Sequence, residues 1–190
     1  SLYVVLDKYD AIGDSTLRAW FTTNHDENSW NGTEYEKYGE MARALAVFSI
    51  TWNGVPLLYS GQELGNRKRI LFFEKDLFEK GPDADYLKSF YTALTRLKKT
   101  HPALRAGDPN SKTYRIKTSS PNTVFAFLRK NGEKEVLVVL NLSGQNDLHF
   151  DLTDPRVNGV YRNVFSGAAN DFKGNTPFEM QAWEYLVYEK

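Results

Sequence analysis

Two short groups of residues carry the chemistry legible in this chain: Asn24-His25-Asp26, and Ser60-Gly61-Gln62-Glu63 further along. A carboxylate beside an imidazole is versatile. The imidazole can hydrogen-bond hydroxyls, and the carboxylate can stabilise a developing cation or hold vicinal hydroxyls. Trp30 and Tyr35 follow closely and could stack on the apolar face of a sugar ring. The same residue types also serve as turn formers or as a helix cap. Other candidates are thinner. His25, His101 and His149 are scattered and show no zinc spacing, and cysteine is absent, so thiol nucleophiles, disulfides and Cys-ligated zinc are excluded. His101 precedes Pro102 and reads as the cap of a helix end, while His149 alternates within a strand. Ser60-Gly61-Gln62-Glu63-Leu64-Gly65 lacks the Lys-Ser/Thr pair of a phosphate loop. Arg67-Lys68-Arg69 reads as a solvated basic loop, and Trp20, Trp52 and Trp183 as packing residues.

The elements that must position these groups follow from periodicity. Leu17 to Thr23 reads as a strand ending at the polar Asn24-His25-Asp26. Tyr38 to Ile50 has helical spacing, with Met41, Leu45 and Phe48 on one face and small alanines between them, and Gly54 closes the segment. Val55-Pro56-Leu57-Leu58-Tyr59 reads as a second strand, with Pro near its start where it is tolerated. A further helix spans about Asp85 to Lys99, with Leu87, Phe90, Tyr91, Leu94 and Leu97 recurring at three and four residues. Strand, helix, strand, helix is the order of parallel α/β structure, whose ligands sit at the carboxyl ends of the strands.

From Ala103 onward the pattern changes. Seven short β-rich runs, at 113–118, 123–129, 135–141, 148–152, 160–164, 178–180 and 185–188, alternate with turn signals. Asn131-Gly132 between two apolar runs predicts a hairpin. The whole predicts an antiparallel sandwich, with the boundary between His101-Pro102 and Asn110-Ser111.

Composition narrows the partners. The 190 residues carry 24 basic and 24 acidic side chains, with 41% hydrophobic residues and a mean hydropathy of −0.52. Zero net charge argues against nucleic acid as a partner. The densest apolar run, Val136 to Leu140, is a buried strand rather than a membrane span. The chain begins at Ser1, without a basic region leading into an apolar run, and so reads as a cut piece or a processed product.

The motifs in their order resemble one family. FTTNHDEN, a helix, then GVPLLYSGQELG about 30 residues later is similar to the seventh strand, seventh helix and eighth strand of the α-amylase superfamily of glycoside hydrolases. RILFFEKD and LTRLKKTHPALRAG follow in the expected sequence before a β-rich tail. The resemblance implies a mixed fold. Residues 1–103 would be the last two β/α units of a (β/α)₈ barrel, and 104–190 an all-β antiparallel sandwich domain. Asp26 matches the carboxylate that holds sugar hydroxyls at the cleavage subsite and favours an oxocarbenium-like transition state. His25 matches the histidine that binds the same sugar, Asn24 supports their geometry, and Gln62 and Glu63 lie at the rim or behind it.

The same family needs an aspartate nucleophile and a glutamate acid/base from earlier barrel strands. Neither motif occurs in residues 1–23, where Asp7, Asp10 and Asp14 stand in the wrong context. The chain alone is therefore expected to hydrolyse no glycosidic bond, although a longer protein containing it would act on α-glucans or malto-oligosaccharides. Whether water or a sugar is the acceptor stays open, and so do two other roles: a carbohydrate-binding module using aromatics such as Tyr161 or Phe172, and a structural domain shielding the barrel. No cofactor is expected in these residues, and calcium, if the longer protein binds it, would be held mostly upstream. Two strands cannot close a barrel, so self-association through residues 1–103 is expected. The sequence is silent on location.

Overall fold

The structure, a computed structural model, describes residues 2–12 and 16–190. Ser1 and Asp14 lie outside the described residues. Helix α1 (Leu2–Asp10) comes first, an element the sequence reading did not foresee. It buries Leu6, sets Tyr3 edge-on to Phe125 at 5.3 Å, and pairs Asp7 and Asp10 with Arg115 at 2.7 Å each.

Strand β1 (Ala19–Trp20) runs parallel to β2 (Val55–Pro56), with Ala19 opposite Val55 and Trp20 opposite Pro56. The Val55 and Leu57 amides donate to the Arg18 and Trp20 carbonyls at 2.8 and 2.9 Å. Pro56 falls between these donors, so its missing N–H points away from β1 and costs no ladder bond. The strand expected over 17–23 therefore pairs over far fewer residues, because its only partner is short. The chain between the strands holds α2 (Glu34–Tyr38) and α3 (Ala42–Thr51). Thr33 caps α2 through a capping box with Glu36.

The single helix expected over 38–50 is broken at Gly39, and its buried face is also different. Ala44, Val47, Phe48 and Ile50 are buried, whereas Met41 and Leu45 stay partly exposed. Alanines let α3 approach its neighbours closely, so the small residues face inward rather than the long ones. Helix α4 (Ala84–Thr100) matches its pattern: Leu87, Phe90, Tyr91, Leu94 and Leu97 are all buried. It stops at His101, whose N–H still donates to the Leu97 carbonyl at 2.9 Å. The His101 Nδ1 accepts the Ala103 N–H at 3.3 Å, and Pro102 cannot continue the helix.

Eight strands follow: β3 (Lys112–Ile116), β4 (Val124–Asn131), β5 (Lys134–Asn141), β6 (Leu148–Leu152), β7 (Asn158–Asn163), β8 (Ala169–Lys173), β9 (Thr176–Met180) and β10 (Tyr185–Glu189). The sequence reading lacked β8, whose Ala-Asn-Asp-Phe-Lys has no β-branched residue. Six strands form one antiparallel sheet in the order β3-β4-β5-β10-β7-β8, and β6 pairs with β9 in a second. The β4–β5 hairpin closes Asn131 on Lys134 through Gly132-Glu133, with Gly132 at φ 59°.

Alternation in the central strands sends side chains to two cores. Val124, Ala126 and Leu128 meet Leu148, Phe150 and Met180 inside the sandwich. Phe125, Phe127, Val136, Val138 and Leu140 meet α1, α3 and α4 on the other face. Strands β4 and β5 are thus buried on both sides, which is why Val136–Leu140 is a continuous apolar run.

Trp52, at the C-terminal end of α3, stacks on Phe48 (5.4 Å) and meets Phe127 edge-on at 4.8 Å. Gly54 then bends the chain into β2 with φ 137°. A Cβ there would stand 2.4 Å from the Arg18 carbonyl oxygen and 2.7 Å from the Trp20 indole nitrogen. Gly54→Ala is expected to destabilise the protein by about 3 kcal/mol, from backbone strain plus the forced shift of β1. Urea unfolding followed by tryptophan fluorescence reads this, and a midpoint equal to the parent's would contradict the packing.

Candidate functional site

The carboxyl end of β1 leads directly into the candidate site. The Asn24 side chain accepts the Glu27 N–H at 2.8 Å, and its carbonyl accepts the Asn28 N–H at 2.9 Å. Asn24 is thus the cap of a helical turn whose wide second part spans Glu27–Asn31. His25 and Asp26 open that turn and project outward, with side chains 66% and 60% exposed and His25 Nε2 3.6 Å from Asp26 Oδ2.

The back of the turn is fastened inward. Buried Asn28 accepts the Ile70 N–H at 2.8 Å, and the Ser29 hydroxyl donates to the Ile70 carbonyl at 2.7 Å. These bonds dock the loop 66–80 beside the turn, and polar side chains hold the loop itself. Asp76 is hydrogen-bonded by Lys68 and by the Leu71 and Leu77 amides, which together draw its carboxyl down to about 2. Arg69 grips Glu36 through both carboxylate oxygens at 3.0 and 3.2 Å, holding that carboxyl at about 2. The Arg67 guanidinium lies 4.2 Å from the Tyr35 ring centroid. The basic triplet is therefore engaged residue by residue, while Arg67 and Arg69 stay exposed to solvent.

The docked loop delivers two aromatics that sequence reasoning missed. Phe72 lies 5.9 Å from the His25 ring and 5.4 Å from Trp30, and Phe73 lies 4.8 Å from Phe72. Phe73 is 85% exposed and Trp30 58% exposed. So much aromatic surface left in water next to a polar pair marks a contact surface. The Phe72-Phe73 doublet within a charged loop was the available signal.

The structure distributes the other candidates differently. Tyr35 is half-buried under Arg67, and burial pushes its phenol up, so it does not join the Trp30 shelf. Gln62 is buried. Its amide donates to Thr22 (2.9 Å), Glu34 (3.0 Å) and Tyr91 (3.3 Å), and its oxygen accepts the Tyr59 N–H at 2.8 Å. The space beside it, lined by Thr23, Asn28 and Glu34, measures about 10 Å³, room for one water and no sugar. Glu63 is exposed and folds back to accept the Gly61 N–H at 3.1 Å.

Glu34, which sequence reasoning also passed over, is the buried carboxylate at this junction. It accepts the Thr22 hydroxyl at 2.6 Å, and burial raises its carboxyl despite that bond. Tyr161 and Phe172, named for the carbohydrate-binding alternative, are both buried in the sandwich, because their strands turn those positions inward. A cleft of about 500 Å³ lined by Arg43, Tyr86, Phe165 and Trp183 contains none of the predicted site residues. Among the described residues no group of three or more His, Cys, Asp or Glu converges.

Taken together, the surface offers hydrogen-bond acceptors and donors on a capped turn beside an aromatic shelf. That combination suits a neutral polyhydroxylated ligand. The profile of the family described as alpha amylase, C-terminal all-beta domain, matches residues 114–185. Alpha-amylase 2 of Dictyoglomus thermophilum is 29% identical over 168 residues, covering 82% of this chain and 27% of that protein. The 1,4-alpha-glucan branching enzyme GlgB of a Synechocystis species is 28% identical over 151 residues, 76% of this chain and 19% of that protein. The noncanonic maltogenic alpha-amylase AmyB from Thermotoga neapolitana superposes with a TM-score of 0.76 at 18% identity, covering 98% of this chain and 44% of that one. The chain spans about a quarter of the curated relatives it matches.

The buried junction behind the site gives a pH signature. Because Glu34 is harder to ionise folded than unfolded, its favourable contribution is full below the ordinary carboxylate range and is lost as pH rises through its raised value. Glu34→Gln keeps the acceptor oxygen and removes the ionisation. The variant is expected to melt above the parent at about pH 8, with the gap closing toward about pH 4.5. A gap independent of pH in thermal melts would refute the burial argument.

Proposed function

From its kinship with the C-terminal part of α-amylase-family glycoside hydrolases, we propose that this chain carries the sugar-holding half of an α-glucan-processing site. The observation that carries the reading is the position of His25 and Asp26. They stand exposed at the carboxyl end of a strand paired in parallel, on a turn capped by Asn24, against the Trp30–Phe72–Phe73 shelf. Residues 1–103 act as the last two β/α units of a (β/α)₈ barrel, and residues 104–190 as the sandwich that covers it. The parallel β1–α3–β2 unit and the antiparallel strands after residue 111 support that division.

In this reading a glucosyl ring stacks on Trp30, Phe72 or Phe73 while its hydroxyls donate to Asp26 and bond to His25. The Asp26 carboxylate favours a ring that is flattening and gaining positive charge, so its bonds strengthen toward the transition state and lower the barrier. Cleavage also needs a nucleophile and an acid flanking the scissile bond. Asp7 and Asp10 on α1 pair with Arg115 of β3, and Asp14 lies outside the described residues. The chain supplies one carboxylate of three, and the choice between water and sugar as acceptor belongs to the longer protein. A structural role for the sandwich rests on its sheet, whose outer face is the floor of the helical layer.

Titration of the 190-residue chain with maltoheptaose, read by tryptophan fluorescence, is expected to give weak saturable binding. Trp30→Ala and Asp26→Asn should each weaken it at least several-fold, and the chain should release no product from starch or a chromogenic maltoside. Binding unaffected by both variants would remove the assigned site, and measurable turnover would overturn the missing-pair argument. A further expectation concerns assembly. Leu17, Phe21, Val55, Leu57 and Leu58 are exposed along the two short strands, whose outer edges have no strand partner among the described residues. Sedimentation velocity should therefore show dimers or larger species growing with concentration, and a single monomeric boundary at high concentration would refute self-association.

A further inference from the structure

Arg129 stands on β4 with no solvent exposure, and its Nε, Nη1 and Nη2 have no hydrogen-bond partner. Its position follows from register. Arg129 lies opposite Thr113 of β3 and Val136 of β5, on the face that sends Phe125, Phe127 and Val136 toward the helices. Residues opposite one another in an antiparallel pair share a face, so Thr113 is its neighbour there. The Thr113 hydroxyl is also buried and also without a partner. From above, Lys98 of α4 donates to the carbonyls of Gly54 at 2.9 Å and Trp52 at 3.4 Å, and the Arg129 charge bears on it.

The layer between sheet and helices thus holds two cations, and no carboxylate pairs with either among the described residues. A guanidinium cannot relieve its burial by losing its proton, because its pKa is far too high even when burial lowers it. Water could occupy its donors but would leave the charge uncompensated. A donor-only guanidinium beside a rotatable hydroxyl, next to a second cation, is what an anion needs.

We propose that Arg129 and Thr113 bind a small monovalent inorganic anion, of halide size, between the β3–β4 face and α4. Enclosure sets the size: Arg129 is wholly covered, so a phosphate ester or a sugar acid has no room. A cleft of about 450 Å³ lined by Trp52, Asn53 and Thr113 comes up to this layer from outside, although Arg129 itself does not line it. The anion ties the sandwich to the helical layer and is separate from the His25–Asp26 surface.

The test is thermal unfolding in chloride or bromide replacing gluconate at constant ionic strength. A ligand held only by the folded state raises the melting temperature with a saturable concentration dependence. The parent should show that rise, and Arg129→Met should lose it while matching the guanidinium stem in bulk. Should that variant fail to fold, Thr113→Val leaves the charge in place and should shift half-saturation to several-fold higher halide. Crystals grown in bromide should show anomalous density at the guanidinium. A melting temperature indifferent to the halide, an unchanged response in Arg129→Met or Thr113→Val, or water alone at Arg129 in the bromide crystals would overturn the proposal.

Discussion

The central strands β4 and β5 of the six-stranded sheet are covered on both faces, and the packing that reaches the site depends on that double burial. One face closes the sandwich and the other forms the floor of the helical layer. Trp52 is the piece that joins the two, resting on Phe48 above and on Phe125 and Phe127 below. Burial of one such ring contributes about 3 kcal/mol, a large share of a domain's total stability of about 5–15 kcal/mol. From Trp52 a short chain of constraints runs to the site. Its position fixes the end of α3, Gly54 turns the backbone, β2 takes its register, and two amide bonds then hold β1. His25 and Asp26 stand where they do because an aromatic cluster some distance away is well packed.

A second constraint is polar. Beyond Trp20 the chain leaves β2, so the strand ladder no longer satisfies it, and side chains take over. Thr22, Glu34, Gln62 and Tyr91 form one buried network that ties β1, α2, the turn after β2 and α4 together. A carboxylate in such a place is costly unless it is fully bonded, and here it accepts two donors. The network explains why Gln62, which the sequence places at the rim or behind it, points inward: the junction needs an amide that both donates and accepts. Glu63 keeps the exposed position.

The legibility of the sequence varied with the kind of burial each element undergoes. Helix α4 buries one stripe and exposes the other, so Leu87, Phe90, Tyr91, Leu94 and Leu97 could be read from spacing alone. Strand β5 is buried on both faces and announced itself as an unbroken apolar run. Helix α3 misled because close approach favours alanine over leucine, and pattern reading weighs size. Tyr161 and Phe172 misled for a related reason: alternation shows that a strand has two faces but not which one meets the second sheet. Phe72 and Phe73 carry no periodicity at all. Their place beside His25 comes from the Asn28 and Ser29 bonds to residue 70, contacts that span about 40 residues and leave no local trace.

The exposure of Asp26 decides what the site can do as it stands. A carboxylate about 4 Å from a developing positive charge gains only about 1 kcal/mol in bulk water, but about 4 kcal/mol where the surroundings are protein-like. The pair His25–Asp26 is mostly in water, with its polar partners arranged beneath it rather than around it. On the proposed reading such a surface would hold a sugar through stacking and solvent-weakened hydrogen bonds, with little power to favour a charged ring over a neutral one. On the proposed reading that power would come from walls on the open side, contributed by further barrel units, which would exclude water and bring the opposing carboxylates. The exposed apolar residues along β1 and β2 lie where such walls would seat. Enclosure would therefore bury them and raise the electrostatic worth of Asp26 in the same step.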